Sequence, residues 1–362
     1  MPDLQLARRN RLRAAALHTA DADVDAVLVT RLVNVRYLTG FTGSNAALLL
    51  TGDRTLLATD GRYTLQAGAQ SPDVELVTER RCAQALAEWA AQLRVHRLAV
   101  ETHDVTVDLH GQLVEAAGGV DLVSLGGAVE RLRAVKDETE IALLREACAV
   151  TDRAFAALAP ELCPGLTERE VAWRLEVALR DAGADGMAFD PIVAGGPNGA
   201  VPHHQATGRA LEPGDLLTLD FGARHAGYHA DMTRTVMVGG RPAAWQQEIY
   251  TLVAAAQQAG RDAVAPGSTL RAVDRAAREV IEQAGHGEHF VHPVGHGVGL
   301  EIHEAPLLGP ATDGRLADRS PVTVEPGVYL PGRGGVRIED TLVVRAGAPE
   351  LLTTTTRDLL VL

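Results

Sequence analysis

The stretch 216-LLTLDFGARHAGYHADMTRTVMV-238 reads as two strands joined by a turn. It carries Asp220 and Asp231, whose numbers centre between His225 and Ala226, inside the turn-like "ARHAGY". Residues equally distant from a turn sit opposite each other on an antiparallel pair, with their side chains on one face. A second stretch, 322-VTVEPGVYLPGRGGVRIEDTLVV-344, repeats the arrangement, and Glu325 and Glu339 centre on Gly332. All four acids stand among apolar neighbours. Like charges opposed on half-buried strands repel and lose hydration, so something must neutralise them. Arg234 and Arg337 can help. Two divalent cations shared among the four carboxylates would neutralise them fully.

Between the hairpins lies 291-VHPVGHGVGLEIHEAP-306. Pro293, Gly295, Gly297 and Gly299 argue against a helix there. The segment reads as an irregular loop feeding a short extended piece, "VGLEIHE". Its His296 is a natural fifth ligand. Four carboxylates and one imidazole form a hard, oxygen-rich set, which favours Mn2+, with Co2+, Zn2+ and Fe2+ as alternatives, and disfavours a thiolate zinc site.

Around these stretches an element order repeats. Asp137 with Glu140, and Thr167 with Glu170, have the spacing of capping boxes and open two helices. A loop with His203 and His204 follows, then the first hairpin. A helix through "AWQQEIYTLVAAAQQAG", another from Ser268 to about Gly285, the histidine loop and the second hairpin restate that order. The expected architecture is α+β, with strands inside and helices outside. Ahead of it, "VDAVLVT", "AALLLT", "RTLLATD" and "RLAVE" read as strands and "CAQALAEWAAQLR" as a helix, which suggests a smaller α/β domain. The expected division is 1–128 and 129–362.

The chain has 362 residues and a formal net charge of -13. That charge speaks against nucleic acid or an anionic membrane as partner. Cys82, Cys148 and Cys163 form no CxxC pair and fit a reducing compartment. Residues 1–20 read as an amphipathic helix rather than a signal peptide. No apolar run approaches a membrane span. The expectation is a cytoplasmic protein.

The set "LDFGARHAGYHADMTRT", "HPVGHGVGLEIHE", "VTVEPGVY" and "VRIEDTL" resembles the pita-bread metallopeptidases of the methionine aminopeptidase, aminopeptidase P and prolidase superfamily. The first domain, with "NVRYLTGFTGSN", resembles the creatinase-type domain of the Xaa-Pro branch. The resemblance implies a catalytic domain of two related halves. It implies two metal ions held by Asp220, Asp231, His296, Glu325 and Glu339, with Asp231 and Glu339 bridging. It also implies Glu325 as proton carrier, His203 and His303 as catalytic substrate contacts, and His292 lining the pocket after the scissile bond. Arg337 is placed by the metal carboxylates or the substrate. His204 and His229 are read as ordinary polar residues and His225 as a turn residue. Asp190 is read as shaping a turn and Tyr37 as packing in the first domain. The implied activity is Xaa-Pro aminopeptidase, acting as a homodimer on peptides with proline second. The alternatives are Xaa-Pro dipeptidase (prolidase) and a catalytically silent binding module on the same fold.

Overall fold

The computed structural model describes residues 2–17 and 24–362. It divides into two compact units, Met1–Arg133 and Ala134–Leu362. The expected helix over residues 1–20 is observed as α1 (Pro2–Ala16); Met1 and residues 18–20 lie outside the described residues. No described helix is long and apolar enough to cross a membrane.

In the first unit the described strands are β1 (Ala26–Val29), β2 (Ala46–Thr51), β3 (Thr55–Thr59), β4 (Glu75–Thr78), β5 (Arg97–Val100) and β6 (Asp121–Ser124). They form one mixed sheet in the order β4-β3-β2-β1-β5-β6. Helices α2 (Leu32–Thr39), α3 (Thr64–Gln70), α4 (Cys82–Gln92), α5 (Val107–Ala117) and α6 (Ala128–Ala134) alternate with them. β1 and β2 are buried along their whole length and are apolar but for the terminal Thr51, as strands covered on both faces should be. The four strand-like stretches of the sequence fall on β1, β2, β3 and β5. β4 and β6 were not legible: each is short, has no buried residue and begins with an acid. α6 belongs to this unit because Asn34 Nδ2 donates to Glu130 (2.6 Å) and Arg133 donates to Asn34 Oδ1 (2.7 Å). The division therefore falls after Arg133 rather than after residue 128.

The second unit opens with α7 (Glu138–Leu158) and α8 (Glu168–Asp181). Both capping boxes form: Asp137 accepts from Glu140 N (3.0 Å) and Thr167 from Glu170 N (3.2 Å), and each glutamate bonds back to the cap's N–H. β7 (Gly186–Met187), β8 (Ile192–Gly195) and the hairpin β9 (Asp215–Phe221), β10 (Ala223–His225), β11 (Tyr228–His229), β12 (Met232–Val238) follow. Then α9 (Ala244–Asp262) and α10 (Leu270–Gln283) restate the helix pair. β13 (Gly295–Gly297), β14 (Glu304–Leu308), β15 (Pro321–Val324), β16 (Gly327–Leu330), β17 (Gly334–Arg337), β18 (Asp340–Val343) and β19 (Glu350–Leu351) complete it.

Strand alternation sorts the side chains. Leu217, Leu219 and Phe221 of β9, with Val236 and Val238 of β12, pack against Val150, Leu158, Leu175 and Leu179 of α7 and α8. Thr218, Asp220, Thr233 and Thr235 point to the opposite face. In the second hairpin the even-numbered Val322, Val324, Val328, Val336, Ile338 and Leu342 pack against Ile249, Val253, Val273 and Ile281 of α9 and α10. The odd-numbered Thr323, Glu325, Tyr329, Arg337 and Glu339 face away from that core. The two polar faces meet: Glu339 N donates to Thr233 O (3.1 Å), and Thr235 Oγ1 donates to Arg337 O (3.0 Å).

The first hairpin departs from its expected register. Its turn is Ala226–Gly227, both with positive φ (47° and 84°). Asp220 therefore pairs with Thr233, and Asp231 lies diagonal to it rather than opposite. Moving the centre by one residue moves the partner by two, so both acids keep the same face. In the second hairpin one register holds on both sides of a gap, Val324↔Asp340 and Gly327↔Arg337, and places Glu325 opposite Glu339 as expected. The extended pieces of the histidine loop also differ: they are Gly295–Gly297 and Glu304–Leu308, not "VGLEIHE".

The glycines in β13 serve close packing. A Cβ on Gly295 would lie 2.0 Å from the Thr323 carbonyl oxygen, and one on Gly297 would lie 2.3 Å from that of Ala305. Gly295→Ala is expected to destabilise by about 3 kcal/mol, at the upper end of overpacking costs. Gly111→Ala, in α5 with nothing within 4 Å of the added carbon, should stabilise by about 1 kcal/mol. Denaturation curves of the two variants should shift in opposite directions.

Candidate metal centre

The facing hairpins gather the five expected ligands. Glu325 N donates to Val294 O (2.7 Å) and His296 N donates to Thr323 Oγ1 (3.0 Å), which sets β13 beside β15. His296 Nε2 then lies 3.4 Å from Glu325 Oε1 and 3.5 Å from Asp231 Oδ2. Asp231, His296 and Glu339 each offer a ligand atom within 4.8 Å of the others'. Asp220 Oδ2 accepts from Arg337 Nη2 at 2.7 Å.

The donor chemistry fits divalent cations. Asp220 Oδ1, Asp231 Oδ1 and Glu339 Oε1 are buried without a hydrogen-bond partner. Buried carboxylate oxygens left unpaired are costly, and cations would satisfy them. Burial, followed by the charges of Glu339, Asp220 and Glu325, pushes the Asp231 carboxyl well above its usual range. Burial, then Glu325 and Asp220, does the same to Glu339, and burial raises Glu325 to about 8. Burial lowers His296 to about 4, so its imidazole is neutral. With Nδ1 3.0 Å from Gly297 O, the tautomer that donates there leaves the Nε2 lone pair facing Asp231 and Glu325. Three acids that resist joint ionisation, with a neutral imidazole among them, form a set of side chains awaiting positive charge.

The histidines divide by environment. His292 is engaged at both ring nitrogens: Nδ1 lies 2.8 Å from Pro293 O, and Nε2 lies 2.8 Å from Tyr329 Oη. It stands edge-on to Phe290, with centroids 5.1 Å apart. Burial first, and then Arg337 and His203 among its neighbours, lower its pKa to about 4. His303 sits edge-on to His296 with centroids 4.4 Å apart, and its pKa is lowered by burial and by His203. His203 thus lies near both. Among the described residues neither His203 nor His303 has a hydrogen-bond partner. Beside His303, Glu304 forms a buried 2.8 Å pair with Lys136, the chain's one lysine.

Arg337 is a hub. Its Nη1 donates to Tyr329 Oη (2.9 Å) and Pro202 O (3.2 Å), and its Nε to Thr233 Oγ1 (3.1 Å). Thr233 Oγ1 in turn donates to Glu339 Oε2 at 2.8 Å. Thr233 and Tyr329 were missed in the sequence, although alternation from Asp220, Asp231 and Glu325 puts both on the ligand face. His204 and His229 are hydrogen-bonded polar residues. His204 Nε2 lies 2.9 Å from the buried Glu168, and His229 N donates to Gly299 O (2.8 Å). His225 flanks the hairpin turn as expected. Tyr37 is fully buried.

A second group of ligand-type residues, Glu101, His103 and Glu130, lies in the first unit. Its oxygens are largely taken. Glu101 accepts from Thr30 N, Arg31 N and Asn34 Nδ2, and Glu130 Oε1 lies near Asn34, His103 and Arg31. Of its four carboxylate oxygens only Glu130 Oε2 is buried without a hydrogen-bond partner, so the group is chiefly a hydrogen-bonded network.

Residues 142–346 match Metallopeptidase family M24, and residues 8–135 match the Creatinase/Prolidase N-terminal domain. An uncharacterized peptidase, YqhT of Bacillus subtilis (strain 168), is 38% identical over 340 residues, covering 94% of this chain and 96% of that protein. The solved structure of an Xaa-Pro dipeptidase from Bacillus anthracis superposes with a TM-score of 0.95 at 38% identity, covering 99% of this chain and 100% of that one. An X-Pro aminopeptidase from Thermotoga maritima MSB8 gives 0.89 at 35% identity, covering 97% and 100%. On the strength of these matches, which run through both units, the chain belongs to metallopeptidase family M24: it is a pita-bread peptidase with a creatinase-type N-terminal domain.

Proposed function

We propose that the protein is an Xaa-Pro aminopeptidase, which releases the first residue of peptides whose second residue is proline. The observation that carries the reading is the three unpartnered buried carboxylate oxygens of Asp220, Asp231 and Glu339, with His296 Nε2 3.5 Å from Asp231 and the His303 ring edge-on to His296. Asp220, Asp231, His296, Glu325 and Glu339 would hold two divalent ions, for which Mn2+ is the expected choice. When bound, the ions supply Lewis acidity and lower the pKa of water.

The remaining roles fall to the protein's own groups. Hydrolysis breaks the amide C–N bond, adds the water's hydroxyl to the carbonyl carbon and moves its proton to the proline nitrogen. Glu325 carries that proton. His203 and His303 donate toward the oxygen that gains charge, at about 3–4 kcal/mol each. Arg337 and Thr233 hold Asp220 and Glu339 in place. His292, with both nitrogens engaged, offers ring surface beside Phe290 and Tyr329. Proline has no N–H to satisfy and fixes its own backbone angle, so a wall of ring faces suits it.

Preference for longer peptides is supported by charge. A dipeptide places its carboxylate directly after proline. Among the described residues of this unit, the guanidiniums that bond to the site's segments are already committed. Arg337 is held by Asp220 and Tyr329, Arg234 by Asp340, and Arg278 by Asp274. The second reading, Xaa-Pro dipeptidase, is favoured by the name of the Bacillus anthracis relative. A silent binding module is disfavoured by the complete ligand set. A homodimer remains the expected assembly. The free cysteines Cys82, Cys148 and Cys163 fit a reducing compartment such as the cytoplasm.

Exhaustive chelation should abolish hydrolysis, and Mn2+ or Co2+ should restore it; full activity in protein shown by elemental analysis to be metal-free would sink the two-metal reading. Asp231→Ala should lose metal and activity together. His203→Ala should retain metal and lose on the order of 100-fold in kcat, the typical loss for one donor to a developing oxyanion. Ala-Pro-Ala should be cut to alanine and Pro-Ala, Ala-Pro more slowly, and Ala-Ala-Ala far more slowly still. A higher kcat/KM for Ala-Pro would move the assignment to the dipeptidase.

A further inference from the structure

Glu168 is the first residue of α8, and its carboxylate is fully buried. The helix does not need it as a cap, because Thr167 and Glu170 complete the capping box. Its side chain turns instead to the segment that follows β8. Oε1 accepts from Gly195 N (2.9 Å) and Asn198 Nδ2 (2.8 Å). Oε2 accepts from Thr207 N (2.9 Å), Thr207 Oγ1 (2.7 Å) and His204 Nε2 (2.9 Å). Burial alone would raise its pKa, but the bonds from Thr207, Asn198, Gly195 and His204 outweigh that and bring it down to about 2.

These donors bracket the loop that carries His203. From the other side Arg337 Nη1 donates to Pro202 O (3.2 Å). His203, which has no hydrogen-bond partner among the described residues, is thus flanked by two anchored residues. The second half repeats the device. Asp274 of α10, also buried, accepts from Val294 N (3.1 Å) and pairs with Arg278. Arg278 donates to His292 O (2.7 Å) and Phe290 O (2.9 Å). Each half therefore grips its histidine loop with a buried acid on its second helix.

We infer that Glu168 is a positioning residue for hydrolysis, acting through His203, which it holds at the metal centre by anchoring residues 195–207 from both ends. The inference rests on the reading of His203 as a substrate contact. A carboxylate suits the task because its bonds are charge-assisted and all five donors point at one group.

The test is a double-mutant cycle on the metal-loaded protein with Ala-Pro-Ala as substrate. Glu168→Gln puts an amide N–H2 against donors and should lower kcat by about 100-fold, the typical loss from slight misplacement of a reacting group. Bound metal, read by elemental analysis, and KM should change by less than about twofold, since the metal ligands lie on other segments. His204→Ala, a milder lesion beside His203, should lower kcat by about tenfold, and it keeps the question open to measurement if Glu168→Gln does not fold. In a His203→Ala background neither change should slow the enzyme further, because the group they position is gone. Losses that multiply onto His203→Ala, or loss of metal in Glu168→Gln, overturn the inference while leaving the role of His203 standing. If His203→Ala alone leaves kcat unchanged, the role of His203 fails, and the inference falls with it.

Discussion

Four carboxylates buried around one imidazole repel one another, and much of the second unit is arranged to bear that repulsion. Two hairpins turn their apolar faces outward to separate helix pairs and their polar faces toward each other. Thr233 and Arg337 lie at the seam, where one hydroxyl and one guanidinium reach Glu339 and Asp220. What they leave unsatisfied are the Oδ1 atoms of Asp220 and Asp231 and the Oε1 of Glu339, the atoms a divalent cation would take. Without an ion the raised Asp231, Glu325 and Glu339 carboxyls meet that cost by holding protons, and bound divalent ions would take the protons' place, so the same feature links the fold to metal binding.

Duplication gives the site its economy. Each half contributes a hairpin and a loop bearing histidine, and each loop is fastened by an acid from the second helix. The halves differ where chemistry requires. Gly295 and Gly297 let β13 press against Thr323 O and Ala305 O, which sets the His296 imidazole among the carboxylates. The corresponding strand of the first half, β8, pairs with β9 at Asp220 through Ile192 and carries no ligand. The loop beyond it carries His203, which has no hydrogen-bond partner among the described residues.

The sequence alone determined the chemistry of the site and the faces on which it sits. Residue type makes Asp220, Asp231, His296, Glu325 and Glu339 a hard set of candidate ligands. Period-two alternation says which side chains share a face, and this survives an error in locating a turn: the first hairpin centres on Ala226–Gly227 rather than one residue earlier, yet Asp220 and Asp231 stay on one side. Capping boxes at Asp137 and Thr167 were legible because they are made within one turn of helix. Tertiary structure alone decided the contacts between segments distant in the chain. That Thr233 reaches Glu339, that Tyr329 meets both His292 and Arg337, and that Glu168 gathers donors from residues 195–207 leave no local pattern. These bonds arise from the packing of one hairpin on another and of a helix on a loop, where position in space rather than spacing along the chain selects the partner.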